Sequence, residues 1–456
     1  MDPAGPSELQ LIGGLLLAVA LLLLLVLRTR IHAVLALVAA ASVAGLVGGM
    51  PADEVVASIT TGFGSTLSTI GLVIGFGVMM GRLLEVSGAA ERMAYSLIQW
   101  LGEKREEWAL TVTGYVVSIP IFCDSAFVIL VPLVKALGRT TGKSVVTLGI
   151  CLAGGLMLTH HAVPPTPGPL AIAGIFDVDI GLMIMWGTLI TLPGIAVIVW
   201  YARRMGPRIE TTLEDVPDAG EAFAAFDADV ARRDLPPLMP SLAPIVVPIL
   251  LIFLNTGTSF FAGNEASTIV RFFAFIGNPV IAVGIGVVLA AYILVPGRPR
   301  AQVIRDMEKG VEAAGIILLV TGAGGALGAV LRDSGAGDVI GESVVTLAVP
   351  AVLIPFIIAS IMRLIQGSGT VAMITGASIS APILAAVPEV NMVFAAQAAA
   401  VGSMVFGYFN DSYFWVVNRM LGVTDARHQM LTWSVPTTLG WLTSLVMLLL
   451  LYGLFG

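Results

Sequence analysis

Long apolar stretches alternate with short polar segments along the whole chain. Residues 11–27, 31–50, 183–201, 281–295 and 441–455 are almost free of charged side chains. A helix needs about 20 apolar residues to cross the hydrocarbon core of a bilayer, and these stretches approach or reach that length. The pattern predicts an all-α polytopic membrane protein.

Two further apolar stretches carry polar residues near their centres. Residues 108–132 contain Pro-Ile-Phe-Cys-Asp-Ser at 120–125, and residues 347–386 contain Gln-Gly-Ser-Gly-Thr at 366–370. Hydrocarbon cannot satisfy the backbone groups that such a break exposes, so each break must be buried in protein or face a wet cavity. We therefore predict two re-entrant hairpins, each of which enters and leaves the membrane on one side.

The positive charges lie almost entirely on one side of the predicted spans. If the N-terminus is outside, the cytoplasmic loops hold most of the Lys and Arg residues, as the positive-inside rule requires. The exceptions are Arg271 and Arg332, in predicted outer loops, and Arg363, within the membrane. This distribution predicts a multi-pass protein with the first hairpin open to the cytoplasm and the second open to the outside, and the expected location is a bacterial inner membrane.

One arrangement of segments occurs twice. Residues 81–89 resemble residues 328–336, and each set ends an apolar span. A hairpin, another span and a second polar break follow in both cases, and the second breaks are at 160–169 and 407–412. The two units enter the membrane from opposite sides, so we predict an inverted repeat with two broken helices. This pattern is typical of secondary transporters, which bind substrate where the broken helices meet.

The composition agrees with a membrane protein. Hydrophobic residues make up 57% of the 456 positions and charged residues 12%, which is about half the charged share of a soluble domain. The net charge of −7 comes mainly from the segment 210–234, so we expect no nucleic-acid binding. Cys123 and Cys151 lie in apolar stretches and are predicted to be buried thiols rather than a disulfide or a metal pair.

Three of the polar breaks resemble a known family. Residues 160–169 (His-His-Ala-Val-Pro-Pro-Thr-Pro-Gly-Pro), 366–372 (Gln-Gly-Ser-Gly-Thr-Val-Ala) and 410–415 (Asn-Asp-Ser-Tyr-Phe-Trp) are similar to the gluconate permease family, the gluconate:proton symporters. The similarity extends from about Gly62 to the end of the chain. It implies uptake of gluconate or a related sugar acid or small hydroxy acid together with protons, without a cofactor.

The same resemblance implies an elevator-type homodimer in which each chain has a scaffold domain and a transport domain. The predicted units are N-terminal scaffold helices at 1–60, a first inverted repeat at 61–203, an acidic cytoplasmic loop at 204–240, linking scaffold helices at 241–309 and a second inverted repeat at 310–456.

Two carboxylates lie at the polar breaks, Asp124 at the first hairpin tip and Asp411 at the pseudo-symmetric position. A carboxylate in the membrane is costly unless it is paired or takes up a proton. Each is therefore predicted either to carry the coupling proton or to cap the adjoining helix. His160 and His161 are further proton-coupling candidates. Neighbouring residues on a helix point about 100° apart, so we predict no metal site there.

Arg363 precedes Gln366 by about one helical turn. A guanidinium in the membrane needs an anionic partner, which is either a substrate carboxylate or an acidic side chain of the protein. Gln366 can donate a hydrogen bond to a polyhydroxylated acid or can satisfy the hairpin backbone. The other substrate-binding candidates have the same two possible roles, and they are Ser125, Thr166, Pro167, Gly168, Gly367, Ser368, Gly369, Thr370, Asn410 and Ser412.

Other functions fit the sequence less well. It contains neither a Gly-x-Ser-x-Gly elbow nor a His-Glu-x-x-His motif, so an intramembrane enzyme is not expected. A channel is disfavoured because matched broken repeats suit alternating access better than an open pore. A sodium-coupled carboxylate transporter or a cation antiporter of the same superfamily stays open, because oxygens at the hairpin tips can bind sodium.

Overall fold

The computed structural model describes residues 7–101, 104–210, 235–261, 268–339, 350–387 and 390–456. All regular structure within these ranges is helical. Two short π-helical segments, Ala290–Leu294 and Met430–Ser434, interrupt the α-helices. In chain order, the α-helices are α1 (Glu8–Arg28), α2 (Ala33–Val47), α3 (Ala52–Val86), α4 (Ala89–Leu101), α5 (Glu106–Val117), α6 (Cys123–Thr141), α7 (Val145–Ala162), α8 (Pro167–Ile175), α9 (Ile180–Glu210), α10 (Leu238–Phe261), α11 (Thr268–Ile276), α12 (Pro279–Leu289), α13 (Arg300–Asp333), α14 (Leu353–Gln366), α15 (Gly369–Ala385), α16 (Met392–Gly402), α17 (Ser412–Leu421), α18 (Ala426–Gln429) and α19 (Val435–Phe455).

The described helices fit a protein that crosses a membrane several times. Seven helical segments in the described ranges are long and apolar enough to span a bilayer, or eight if one bent pair counts as a span. The predicted stretches at 11–27, 183–201 and 441–455 fall on α1, α9 and α19, which are among these segments. The chain is therefore an all-helical multi-pass membrane protein.

Two predicted spans differ from the expectation. The stretch at 31–50 forms only α2, because the helix ends at Val47 and Gly49 takes a left-handed backbone with φ of 88°. The stretch at 281–295 is the second arm of a pair bent by 61°. The bend precedes α12, where Asn278 caps the helix by accepting from the N–H of Val280 at 3.0 Å.

The predicted acidic loop is shorter than 204–240. Residues 204–210 continue α9, and residues 238–240 begin α10. The remaining acidic segment, 211–234, lies outside the described residues.

Two pairs of helices lie at the positions of the predicted hairpins. In the first hairpin, α5 and α6 are joined by residues 118–122, and in the second, α14 and α15 are joined by Gly367 and Ser368. Pro132 lies inside α6, which continues to Thr141, so the first hairpin is longer than the predicted segment 108–132. The side from which each hairpin enters the membrane stays a prediction.

The two longest helices after the N-terminal pair, α3 and α13, pack against each other. They contain 35 and 34 residues, so each is about 50 Å long. The helices approach closely because glycines meet at the crossing. A Cβ atom at Gly62 would lie 2.6 Å from the carbonyl oxygen of Gly325, which is closer than any side chain allows.

The order of helices in the first half recurs in the second half. The helices α3 and α13 both end in a serine followed by a glycine with φ of 78°, Gly88 and Gly335. Each is followed by a hairpin and then by a helix that breaks before a shorter one, α7 with α8 and α16 with α17. The inversion of these two units across the bilayer stays a prediction.

An ion-pair cluster at the base of the first hairpin joins α5 and α9 to the connection between α6 and α7. Lys143 Nζ lies 2.6 Å from Glu106 Oε2 and 2.7 Å from Glu107 Oε2, and Arg203 Nη2 lies 3.3 Å from the same Glu107 oxygen. Burial by itself raises the pKa of both carboxyls. The hydrogen bonds from Lys143 and from backbone N–H groups, together with the charge of Lys143 and, for Glu107, the bond from Arg203, outweigh this effect, so the pKa of Glu106 and that of Glu107 lie below the usual value.

The cluster predicts a pH-dependent contribution to stability. Glu107→Gln is expected to lower the free energy of unfolding at pH 7 by about 1–3 kcal/mol, because a charged hydrogen bond is lost. A carboxyl with a lowered pKa stabilises the fold above its unfolded pKa and loses this effect as the pH falls through its folded pKa. The difference in thermal midpoint between the parent and the variant should therefore shrink below about pH 4.5.

Thermal unfolding of the detergent-purified protein between pH 7 and pH 3.5 measures this difference. Glu308→Gln is the matched control, because Glu308 is exposed and makes no ion pair within the described ranges. A Glu107→Gln difference that stays constant across the whole pH range would contradict the prediction.

Candidate functional site

Three helix N-termini and the last turns of two helices, α7 and α14, surround a partly open cavity of about 140 Å³, which we call the central cavity. The helices α6, α15 and α17 begin there, and the last turn of α7 closes it. The first backbone N–H groups of a helix have no intrahelical partner, and its dipole is positive at that end. The arrangement therefore favours an anion.

The local sequence explains why these helices begin at the cavity. Asp411 caps α17 by accepting a hydrogen bond from the backbone N–H two residues later, at 3.1 Å. Ser368 caps α15 by accepting from the N–H three residues later at 3.4 Å, and Gly367 ends α14 with a left-handed φ of 78° that residues with a side chain rarely adopt. Phe122 stands at the start of α6 and provides no side-chain cap.

A buried ion pair forms one wall of the central cavity. Arg363 Nη2 lies 2.6 Å from Asp411 Oδ2, and the two side chains are 3% and 6% exposed. Trp433 Nε1 donates to the same carboxylate oxygen at 3.0 Å, and Arg363 Nη1 donates to the carbonyl of Gly367. Arg363 therefore pairs with an acidic side chain of the protein, which is one of the two partners that the sequence leaves open.

Asp124 faces the same cavity in a different environment. It makes no ion pair within the described part of the chain. Ser412 Oγ lies 3.5 Å from Asp124 Oδ2, and the thiol of Cys123 lies 3.5 Å from Oδ1. Asp124 does not cap α6, since that helix begins at Cys123 and its N-cap is Phe122.

The two histidines lie in the last turn of α7 and line the central cavity with their rings 5.6 Å apart. His161 Nδ1 lies 3.0 Å from the carbonyl oxygen of Met157. Its Nε2 atom is directed at the backbone of Gly369, where no side chain would fit. His160 Nδ1 and His161 Nε2 are buried and have no hydrogen-bond partner among the described residues.

Several predicted binding residues lie behind the wall of the central cavity and are not part of its lining. Thr166 is buried and donates to the carbonyl of Val163 at 2.7 Å, and Gly168 lies against α15. Asn410 donates to a backbone carbonyl in the last turn of α14 at 3.1 Å. Ser125 faces a separate cavity. The predicted residues outside the lining of the central cavity are Ser125, Thr166, Pro167, Gly168, Gln366, Gly367 and Asn410.

The predicted residues that line the central cavity come from both halves of the chain. They are Asp124, His160, His161, Arg363, Ser368, Gly369, Thr370, Asp411 and Ser412. The cavity is also lined by four residues that were not predicted from the sequence, Phe122, Cys123, Tyr413 and Trp433. Cys123 and Tyr413 stand beside a predicted residue in the chain, and Phe122 is two residues from Asp124, so these three could have been included. Trp433 offers only a weaker signal, a Thr-Trp-Ser run inside an apolar stretch.

The central cavity holds unsatisfied polar atoms of several kinds. Tyr413 Oη, Arg363 Nε, His160 Nδ1 and His161 Nε2 are buried without a hydrogen-bond partner within the described ranges. Buried polar groups are normally paired with protein, water or ligand. The mixture of a cation, a hydroxyl and imidazole nitrogens suits a small molecule that carries a carboxylate and hydroxyl groups.

Comparison with known sequences identifies related proteins. A family model described as GntP family permease matches residues 10–454. An uncharacterized permease of Haemophilus influenzae is 54% identical and aligns with 97% of this chain and 92% of its own. A gluconate permease of Pseudomonas aeruginosa is 32% identical over 94% and 95% of the two chains. The Gnt-II system L-idonate transporter of Escherichia coli is 33% identical over 92% and 94%.

Two solved structures are similar in fold. The YdaH transporter of Alcanivorax borkumensis aligns over 98% of both chains with a TM-score of 0.61 and 15% identity. The MtrF protein of Neisseria gonorrhoeae aligns over 93% of this chain and 96% of its own, with a TM-score of 0.64 and 14% identity. At these identities the similarity concerns the fold alone.

Proposed function

The chain belongs to the GntP family of permeases, and from this premise we propose that it imports gluconate, a related sugar acid or a small hydroxy acid together with protons. This membership confirms the family that the three polar breaks indicate. It also makes the protein a membrane transporter and not an enzyme. The substrate, the coupling ion and the direction of transport are the proposed parts.

One observation carries the proposal: the N-termini of α6, α15 and α17 converge on a cavity that also contains Arg363. Helix N-termini and a guanidinium both favour a carboxylate. Asp411 pairs with Arg363 through one carboxylate oxygen and caps α17 through the other. The N-termini of α6 and α15 have no such carboxylate and therefore still favour an anion. The unpaired atoms of Tyr413 and the histidines suit the hydroxyl groups of a sugar acid.

Asp124 is the proposed proton carrier. It lines the central cavity and has no cation to hold its charge among the described residues, whereas Asp411 is fixed by Arg363 and Trp433. A carboxyl group in the membrane without a cation is favoured in its protonated form. Asp124 can therefore take up a proton when the site faces the outside and release it when water reaches the site from the cytoplasm.

Unequal contacts of the two hairpins support an elevator-type movement. Gly81 and Gly328 occupy equivalent places in the repeat. The backbone of Gly81 meets the carbonyl of Pro120 at the tip of the first hairpin. Gly328 faces Ser378, ten residues beyond the tip of the second. The two hairpins thus contact their long helices at points that differ by about ten residues. If each hairpin took up the contact that the other now makes, it would move by about 15 Å along α3 or α13.

The domain arrangement and the assembly belong to the same proposal. The two repeats carry the hairpins and the central cavity, and the long helices α3 and α13, along which the hairpins move, belong to the scaffold together with the N-terminal and linking helices. The chain works as a homodimer in a bacterial inner membrane with its N-terminus outside, as the positive charges predict.

Uptake into proteoliposomes tests the proposal. Labelled gluconate, L-idonate and glycerate are offered with an imposed inward proton gradient, with a sodium gradient, or with neither. We expect at least one acid to accumulate with the proton gradient and a protonophore to abolish the accumulation. Accumulation driven by sodium alone would refute proton coupling, and no uptake of any acid would refute the proposed substrate class.

A further inference from the structure

A second cavity, of about 210 Å³, lies beside the tip of the first hairpin. The tip forms one wall, and the other walls come from the last turns of α3 and the first turns of α13. The two helices are in close contact beside the cavity, since a Cβ atom at Gly310 would lie 2.7 Å from the carbonyl oxygen of Val78.

The charges that line the second cavity favour an anion. Arg82 Nη1 pairs with Glu85 Oε1 at 2.7 Å, which leaves the Nε atom of Arg82 buried without a partner in the described ranges. Lys309 also lines the cavity and makes no ion pair with any described residue. The two cations and one carboxylate give this cavity a net positive charge, and one cation is free to bind a ligand.

Phe122 separates the second cavity from the central cavity, because its side chain lines both. The residues that follow it in the first turn of α6 face opposite ways. Asp124 lines the central cavity, and Ser125 lines the second. The two spaces therefore lie on either side of one hairpin tip, with an aromatic ring as the partition.

We propose that the second cavity is an anion subsite that receives the carboxylate of the transported acid after it passes Phe122 and before it leaves the protein. This inference rests on the proposed function for the identity of the acid. The ring of Phe122 offers no hydrogen bond, so an anion does not rest beside it. The exposed ammonium of Lys309 and the positive charge of Arg82 supply the favourable interaction on the far side.

A thiol-labelling experiment tests the charge preference of the second cavity without transport. Ser125→Cys is introduced into a Cys123→Ala/Cys151→Ala background, and variants that purify as a single species are used. Rates of reaction are compared for an anionic sulfonatoethyl and a cationic trimethylammonioethyl methanethiosulfonate. We expect the ratio of anionic to cationic rates to fall at least about threefold with Lys309→Gln, and further with Lys309→Glu.

Arg305→Gln is the matched control for that measurement. Arg305 is an exposed cation on the same end of α13, and it does not line the cavity. The ratio should stay at the parent value in this variant. The proposal is overturned if Lys309→Gln leaves the ratio unchanged, or if Arg305→Gln lowers it equally.

A transport measurement then connects the subsite to the substrate. With gluconate as the probe, Lys309→Gln should raise the apparent KM at least about threefold on the face of the protein where Arg82 and Lys309 lie, and leave the KM of the opposite face unchanged. Equal KM changes on both faces would overturn the role in release. If the parent transports none of gluconate, L-idonate and glycerate, the proposed function fails, whereas the labelling ratio still decides whether the second cavity prefers anions.

Discussion

Replacing Asp124 by asparagine is expected to abolish the accumulation of substrate driven by a proton gradient and to leave substrate exchange in place. The amide keeps the shape of the carboxyl group and can still bond to Ser412, but it cannot take up a proton. Asp124 holds no ion pair within the described ranges, so its replacement leaves no buried charge without a partner. Driven uptake should fall at least about tenfold.

Driven uptake and counterflow exchange are measured in the same proteoliposome preparation. Asp411→Asn is the informative comparison, because it keeps an oxygen that can cap α17 but removes the counter-charge of Arg363, and it should therefore reduce both activities. Full accumulation by Asp124→Asn would show that another group carries the proton. Loss of exchange as well as accumulation would assign Asp124 to substrate binding.

Replacing Arg363 by glutamine should lower the free energy of unfolding by about 3–5 kcal/mol, because it leaves the Asp411 carboxylate buried without its cation. The pair is 3% and 6% exposed at 2.6 Å, so water cannot compensate for the loss. The double variant Arg363→Gln/Asp411→Asn removes both charges together. We expect it to recover much of the lost stability and to remain inactive, because the anion site has then lost its guanidinium.

Thermal unfolding of the purified single and double variants measures this coupling. Arg332→Gln is the matched control, since Arg332 pairs with Asp333 at 3.3 Å but is 70% exposed. An exposed pair of this kind contributes at most about 1 kcal/mol. Equal losses of stability in the Arg363 and Arg332 variants would contradict a structural role for the buried pair, and an active double variant would contradict its role in substrate binding.

The sequence was a reliable guide to where helices break, because the physical constraint is strict. Backbone groups inside a membrane must be satisfied, so polar, glycine-rich interruptions of apolar runs mark the few places where a helix can stop. The breaks before α6, α15 and α17 were predicted for this reason. Lengths were predicted less well, since Pro132 is accommodated inside α6 and α2 ends before it reaches a full span.

The sequence alone thus determined the helical class, the polar breaks and the family, since these depend on composition, spacing and local motifs. Only the tertiary structure decided the roles of residues with equal chemistry. Asp124 lies at a hairpin tip and Asp411 at a broken helix, and both are carboxylates at polar breaks, yet Arg363 and Trp433 reach one of them and not the other. Ser125 faces away from the cavity that Asp124 lines. Which side chains meet depends on how helices that are distant in sequence pack together. A local sequence pattern does not determine this packing.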